Sequence, residues 1–450
     1  NLTEYDSAAI RFRFIIDNFL KYDKTNLAYY NLALCYYNKS DYAAAIKAFN
    51  DYIKFEDKNQ KTKKIYIDYY NTAFQYIGDA YFNLANFNEA SKYYNIYLSE
   101  KPKDIYAHFK QFKSLYNSKL YDTALIYFAK NLQQHQDTLT AQLPIDENFK
   151  LYSYLADIYF SQKKYDLAIN NIEFAIKNYP NSKLINSAYL QLAELNYSKK
   201  KFDISIEYLK KILTTDYPDF KDEVNYRIAT IYFELDNFDS AFFYFKNSLT
   251  LYPNYKTYQA VDYLINSAFL IKNYAAVTNT FEKYYESTNQ PENLLIIEFA
   301  VKSYIAQKKY DNAISIIERL PISKDLKYYN LKYLQASAYY QQKKINKAIT
   351  ELKLLQIMPQ LNENLKLSIN KLLADCYFDI GEFEKSEALY FELCKFSSPD
   401  LALDELYCKL GITYINQSKF NNAELIIKNL PAEIKNTYNS QLLIYNFAQK

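Results

Sequence analysis

FQYIGDAYFNLANFNEASKYYNIYLSEKP, residues 74–102, contains two runs of apolar residues separated by a short polar turn before Phe87. In each run the apolar residues recur three and four positions apart, which predicts two amphipathic helices. The small residues Gly78 and Ala90 allow the two helices to approach closely, and Pro102 cannot continue the second helix. This stretch therefore predicts one antiparallel pair of helices.

The same pattern recurs along the chain as a turn residue followed three positions later by a small residue. Ten of the eleven turn residues are aromatic. The copies are Tyr42/Ala45, Phe87/Ala90, Tyr121/Ala124, Tyr165/Ala168, Phe202/Ser205, Phe238/Ala241, Tyr274/Val277, Tyr310/Ala313, Ile345/Ala348, Phe383/Ser386 and Phe420/Ala423. Tandem pairs of this kind pack on their neighbours in the sequence. The predicted fold class is thus all-α, an α-solenoid superhelix of tandem antiparallel helix pairs.

The phase of the pattern also predicts the organisation of the chain. We expect a partial repeat with a second helix only at 1–25, and eleven tandem repeats over 26–436. Two long steps in the pattern predict insertions near 54–65 and 131–149. Residues 437–450 form a terminal or truncated first helix in this prediction. Because the chain opens on a second helix and closes on a first one, we expect it to be part of a longer repeat protein.

Composition excludes several classes of function. The chain of 450 residues has only 3 Gly, 2 His and 4 Cys, and it lacks phosphate-binding loops and metal-binding or nucleophile motifs. We therefore predict that it is not an enzyme and that it has no catalytic residue, metal, cofactor or small-molecule substrate. A net charge of +3 argues against nucleic acid, and no apolar run is long enough to span a membrane. The excess of Lys, Asn, Ile and Tyr indicates an AT-rich, bacterial genome.

The recurring unit resembles the tetratricopeptide repeat over almost the whole chain. The resemblance rests on residues such as Phe74, Ile77, Gly78, Tyr81 and Ala90 in the copy quoted above. One departure concerns the turn, where the family has a glycine and this chain keeps only Gly381. Lysine occupies that place at Lys119, Lys163, Lys200, Lys272, Lys308 and Lys343. A lysine in the left-handed conformation that this turn requires costs about 1 kcal/mol.

The resemblance implies that first helices line the concave face of a superhelix, where peptides or partner helices bind. Five positions before each turn residue, a large apolar residue recurs, and it serves either packing or partner binding. The positions assigned to the concave face hold ten acidic residues and four lysines, which predicts an acidic, aromatic groove. The candidate partner-binding residues are Tyr37, Asp79, Phe82, Tyr116, Asp157, Phe160, Glu194, Tyr197, Glu223, Phe233, Glu234, Asp262, Phe269 and Glu298.

The sequence thus predicts a non-catalytic protein–protein interaction scaffold that binds a basic or amphipathic protein segment on its concave face. An alternative is a structural spacer in a bacterial cell-envelope machine for secretion, outer-membrane assembly or motility. A third interpretation, a targeting domain for an enzyme, has no supporting residue. The sequence leaves the compartment and the partner open, with the bacterial periplasm or envelope favoured over the cytoplasm.

Overall fold

A computed structural model describes residues 2–58, 67–135, 141–215, 221–251, 257–286, 293–358, 361–396 and 402–450. These residues form 24 α-helices and no β-strand, which confirms the all-α prediction. The chain divides into two compact units, Asn1–Asp216 and Tyr217–Lys450. Each unit is described by itself below.

Unit 1 consists of a lone helix followed by five helix pairs. Its helices are α1 (Leu2–Asn18), α2 (Thr25–Asn38), α3 (Tyr42–Lys58), α4 (Ile67–Asn83), α5 (Phe87–Glu100), α6 (Ile105–Asn117), α7 (Tyr121–Asn131), α8 (Ile145–Ser161), α9 (Tyr165–Asn178), α10 (Ile185–Ser198) and α11 (Phe202–Leu213). A short 3₁₀ turn, Gln133–His135, follows α7. Of the two predicted insertions, residues 59–66 and 136–140 lie outside the described residues.

Unit 2 consists of six helix pairs followed by a lone helix. Its helices are α12 (Lys221–Glu234), α13 (Phe238–Leu251), α14 (Thr257–Leu270), α15 (Tyr274–Phe281), α16 (Leu294–Ala306), α17 (Tyr310–Glu318), α18 (Leu326–Gln341), α19 (Ile345–Gln356), α20 (Glu363–Asp379), α21 (Phe383–Leu393), α22 (Leu403–Asn416), α23 (Phe420–Lys428) and α24 (Tyr438–Ala448). One turn of π-helix, Glu282–Glu286, extends α15. Even-numbered helices from α2 to α22 are the first helices of their pairs, and odd-numbered helices from α3 are the second.

Each second helix begins at the turn residue identified in the sequence, and the small residue three positions later is buried. Ala45, Ala90 and Ala241, for example, are 0% exposed. A large side chain one helical turn further along, such as Phe49, Tyr94 or Phe245, is also fully buried. A larger residue at the small position would separate the two helices, so this spacing sets how closely each pair packs.

The turns between first and second helices have the left-handed conformation predicted from the sequence. The six lysines at this place have φ between 57° and 62°, and Gly381 has φ 80°. In the turn between α10 and α11, the backbone N–H of Lys200 bonds to the carbonyl of Tyr197 at 2.8 Å. The next N–H, of Lys201, bonds to the carbonyl of Asn196 at 2.9 Å. These two bonds cap the last carbonyls of the first helix.

Candidate functional site

The predicted partner-binding residues all lie on first helices. In unit 1 they are Tyr37 on α2, Asp79 and Phe82 on α4, Tyr116 on α6, Asp157 and Phe160 on α8, and Glu194 and Tyr197 on α10. In unit 2 they are Glu223, Phe233 and Glu234 on α12, Asp262 and Phe269 on α14, and Glu298 on α16. We refer to the surface that such residues form within one unit as the first-helix surface.

The aromatic residues among them pack against the turn residue of their own pair. The ring centroids of Phe82 and Phe87 are 5.1 Å apart, and those of Phe160 and Tyr165 are 5.7 Å apart. The same contact recurs at Tyr37, Tyr116, Tyr197, Phe233 and Phe269. Phe160 and Tyr197 are the most exposed of these seven aromatic side chains, at 36% and 38%. These aromatic residues therefore pack the first and second helices of each pair together. The aromatic side chains most accessible to a partner are those on α8 and α10.

Several of the acidic residues are engaged by other side chains of the protein. Asp79 is 8% exposed and accepts a hydrogen bond of 2.6 Å from the Tyr94 hydroxyl, while Lys110 Nζ lies 3.4 Å from its carboxylate. Glu223 pairs with Arg227 on α12 at 2.6 Å. These internal partners reduce the negative charge that the sequence predicted for the first-helix surface.

Two further acids of unit 2 are engaged in the same way. Glu298 pairs with Lys302 at 2.6 Å. Asp262 accepts hydrogen bonds from the Tyr285 hydroxyl and, at 2.8 Å, from the Asn293 amide. The charge of Glu298 is therefore compensated within its own helix, and the oxygens of Asp262 are both occupied.

Asp157 differs from Asp79, Glu223 and Glu298 because its partners, like those of Asp262, carry no charge. Its carboxylate accepts a hydrogen bond of 2.9 Å from the Tyr116 hydroxyl and one of 3.2 Å from the Gln191 amide. In the part of the chain that the structure describes, neither Asp157 nor Glu194 has a lysine or arginine within ion-pair distance. Burial raises the pKa of Asp157, and the charge of Glu194 raises it further, against the opposing hydrogen bond from Tyr116. Two uncompensated carboxylates thus face the same space.

That space is a cleft of about 230 Å³ between α8 and α10. The polar residues that line it are Asp157, Gln191 and Glu194. The apolar residues that line it are Ala156, Phe160 and Leu195. The cleft therefore offers negative charge beside an exposed aromatic ring. This combination suits a cation on an apolar stem, because the ring face attracts cations and the carboxylates attract them more strongly.

A comparison of equivalent positions explains why Asp157 stays uncompensated. Asp79, Asp157 and Asp375 each lie eight positions before the turn residue of their pair. On the next first helix, eleven positions before its turn residue, Asp79 meets Lys110 and Asp375 meets Lys409 at 2.6 Å. Asp157 meets Gln191 there instead. The positions assigned to the concave face from the sequence did not include this one, so sequence reasoning missed both Lys110 and Gln191.

Other kinds of site are not apparent among the described residues. No group of three or more His, Cys, Asp or Glu side chains in the described part could hold a metal ion. The four cysteines, Cys35, Cys376, Cys394 and Cys408, are free thiols. Within the same described ranges, no helix combines the length and apolarity that a membrane crossing demands.

Comparison with protein families identifies two segments of the chain. Two family models, each described as the tetratricopeptide repeat, match residues 1–60 and 222–255. The first segment contains α1 to α3 of unit 1, and the second contains α13 and all of α12 except Lys221. No curated protein matches the chain at a significant level.

Three solved structures that are similar to the chain are named for the tetratricopeptide repeat. A tetratricopeptide repeat protein from Parabacteroides merdae is 15% identical, with 59% of this chain and 98% of that chain covered and a TM-score of 0.33. The C-terminal part of a TPR repeat-containing protein from Cytophaga hutchinsonii is 18% identical, with 66% of this chain and 98% of that chain covered and a TM-score of 0.36. The TPR2AB domain of yeast Sti1, in a structure described as its complex with pHSP90, is 12% identical, with 67% of this chain and 98% of that chain covered and a TM-score of 0.30.

Proposed function

We propose that this chain, a tetratricopeptide-repeat protein, binds a basic or amphipathic segment of a partner protein on its first-helix surface, in the cleft between α8 and α10. Tetratricopeptide repeats generally build non-catalytic scaffolds for protein–protein interaction, which is the general function that the family supports here. The partner chemistry and the place of binding are our proposal. The extension of the repeat beyond the two matched segments stays a prediction from the sequence pattern.

The uncompensated pair of Asp157 and Glu194 is the observation that carries the proposal. A carboxylate half-buried without a cation is unfavourable in the free protein, because burial removes water from the charged group. A partner lysine entering the cleft would supply the cation that Lys110 supplies to Asp79. An apolar residue next to that lysine would cover the exposed face of Phe160, so an amphipathic segment fits the cleft better than a merely basic one.

The substitution Gln191→Lys tests this directly. It places a lysine where Lys110 and Lys409 neutralise the equivalent aspartates. The new lysine would therefore neutralise Asp157 in place of a lysine from the partner. The probe is a fluorescein-labelled synthetic peptide of alternating lysine and leucine blocks, about 14 residues long for four turns of helix. We expect the wild-type protein to bind it and Gln191→Lys to weaken binding about tenfold or more, measured by fluorescence anisotropy.

The matched control is Asn170→Lys, which makes the same change of charge at an exposed position of the second helix α9. It should leave the affinity within about twofold, since exposed charges at a distance are screened by salt. A second peptide with glutamate in place of lysine should not bind. Equal affinity of the wild type, Gln191→Lys and Asn170→Lys for the basic peptide would overturn the assignment of the cleft.

A further inference from the structure

A second surface, in unit 2, carries the opposite charge. The turns that join α14 to α15, α16 to α17 and α18 to α19, taken with the first helical turn that follows each of them, hold six exposed lysines and a single acidic residue, Asp311. We call these lysines the lysine edge: Lys272, Lys308, Lys309, Lys343, Lys344 and Lys347. With Asp311 included, these turns have a net charge of +5, whereas the net charge of the whole chain is only +3.

Hydrogen bonds between successive turns show that the lysine edge is one continuous surface. The side-chain amide of Gln307 donates to the carbonyl of Tyr274 at 2.9 Å, which joins the first turn to the second. The amide of Gln342 donates to Asp311 at 2.8 Å, and Lys344 Nζ lies 3.7 Å from the same carboxylate. The three turns are therefore neighbours, and Asp311 is already shared by the two side chains beside it.

Three of the lysines occupy a conformation that disfavours them. Lys272, Lys308 and Lys343 have φ of 59°, 60° and 62°, in the left-handed region where glycine has no steric penalty. Gly381 fills the equivalent position in the next turn along the chain. Lysines also occupy this left-handed position in unit 1, at Lys119, Lys163 and Lys200, so the conformation belongs to the turn itself. The proposal below therefore rests on the net positive charge of the three neighbouring turns in unit 2.

Acidic residues flank the lysine edge on both sides. Asp236 lies in the turn between α12 and α13, and Asp239 lies in the first turn of α13. On the other side, Glu382 and Glu384 lie where α21 begins, and Lys385 pairs with Glu382 at 2.6 Å, which leaves one net negative charge there. Both flanking pairs are in contact with the lysine edge pairs. Phe233 on α12 packs on Tyr263 of α14 at 5.1 Å, and Tyr340 on α18 donates a hydrogen bond of 2.9 Å to Asp379 of α20. The basic surface is thus limited to three turns.

We propose that the lysine edge binds a short acidic segment of a protein, rich in Asp or Glu. Packed helices lie about 8–10 Å apart, so three turns extend over roughly 20 Å. An extended peptide covers that distance with about six or seven residues. A bilayer or a nucleic acid extends further and would place its phosphates against the acidic residues on either side. The charges are also all lysine, without the arginine fork that favours phosphate. This surface is separate from the cleft between α8 and α10, and the proposal does not depend on it.

The test uses the whole chain and a fluorescein-labelled peptide of about seven glutamates, the length that spans the three turns. The variant is the triple substitution Lys272→Gly, Lys308→Gly and Lys343→Gly. Glycine removes the charges and also the backbone strain, so the variant is expected to be at least as stable as the wild type in urea unfolding. We expect it to lose affinity for the peptide about ten- to hundredfold, since three charge contacts are lost.

The matched control is the triple substitution Lys119→Gly, Lys163→Gly and Lys200→Gly in unit 1. These lysines have φ of 59°, 59° and 57°, so charge and strain change by the same amount. Each of their turns carries its own aspartate, at Asp122, Asp166 and Asp203, so affinity should stay within about twofold. An equal loss in both triple variants, or no loss in the first, would overturn the proposal. Binding of phosphatidylserine vesicles or of a poly-uridine RNA, without binding of the peptide, would overturn it as well.

Discussion

The hydroxyl of Tyr94 donates a hydrogen bond of 2.6 Å to the carboxylate of Asp79, and both side chains are buried. Tyr94 lies on the second helix of the pair and Asp79 on the first, so the bond fixes the two helices to each other. Tyr390 and Asp375 repeat the arrangement in unit 2 at 2.5 Å. In both places the next first helix adds a lysine to the same carboxylate. One buried aspartate thus joins three helices.

We expect Tyr94→Phe to lower the free energy of unfolding by about 1.5–3 kcal/mol, the range for a hydrogen bond to a charged group. The ring still fills its place, and among the described residues Asp79 then keeps Lys110 alone, at 3.4 Å. Tyr390→Phe should cost less, because Lys409 at 2.6 Å and Lys371 at 3.5 Å remain on Asp375. Urea unfolding followed by circular dichroism measures both. A cost for Tyr390→Phe that equals or exceeds that for Tyr94→Phe would contradict this account of the aspartates.

Relief of backbone strain should be measurable at a single turn. We expect Lys200→Gly to raise the free energy of unfolding by about 0.5–1 kcal/mol, because lysine is disfavoured at φ 57°. The converse change, Gly381→Ala, should lower it by about 1 kcal/mol. A Cβ at position 381 would have no atom within 4 Å, so this loss would come from the backbone alone. Urea midpoints that move in the same direction for both variants would rule out strain as the cause.

Much of this fold could be predicted from the sequence, because the repeat makes the same packing demand eleven times. The turn residue, the buried small residue and the left-handed lysines such as Lys200 all follow from local spacing. The charge of the candidate site could not be predicted in the same way. Whether Asp79 or Asp157 is neutralised depends on one residue of the following first helix, Lys110 or Gln191. The spacing within one repeat does not show which residue of the next repeat contacts each aspartate.

The uncompensated charge of Asp157 predicts a specific dependence of stability on pH. Burial, followed by the charge of Glu194, raises the pKa of Asp157, so the ionised carboxylate destabilises the folded protein at neutral pH. Asp157→Asn removes that charge and keeps an oxygen to accept from Tyr116. We therefore expect the variant to be more stable than the wild type at neutral pH.

The advantage of Asp157→Asn should shrink as the pH falls through the raised pKa of Asp157, because the wild-type carboxyl becomes neutral too. Urea midpoints measured from neutral to mildly acidic pH would show this convergence. The control is Glu207→Gln on α11, where an exposed carboxylate pairs with Lys211 at 3.1 Å, and it should bring no gain. A gain from Asp157→Asn that does not change with pH would exclude the charge as its cause.

A very close contact in unit 2 occurs where α22 meets the lone helix α24. A Cβ on Gly411 would clash with Leu443 Cδ1, and Leu443 is 0% exposed. We expect Gly411→Ala to lower the free energy of unfolding by about 1–3 kcal/mol through this clash, although alanine favours the helix itself by about 1 kcal/mol.

The double variant Gly411→Ala with Leu443→Ala separates the clash from the other effects of each change. Leu443→Ala alone should cost about 2–5 kcal/mol, because it leaves a cavity in the buried contact between α22 and α24. The methyl group added at position 411 occupies part of that cavity, so the double variant should be more stable than the sum of the single losses implies. We expect a coupling of about 1–3 kcal/mol in urea unfolding. Strictly additive losses would mean that α24 moves away from α22 when Gly411 is replaced, and that this contact is not held by the rest of unit 2.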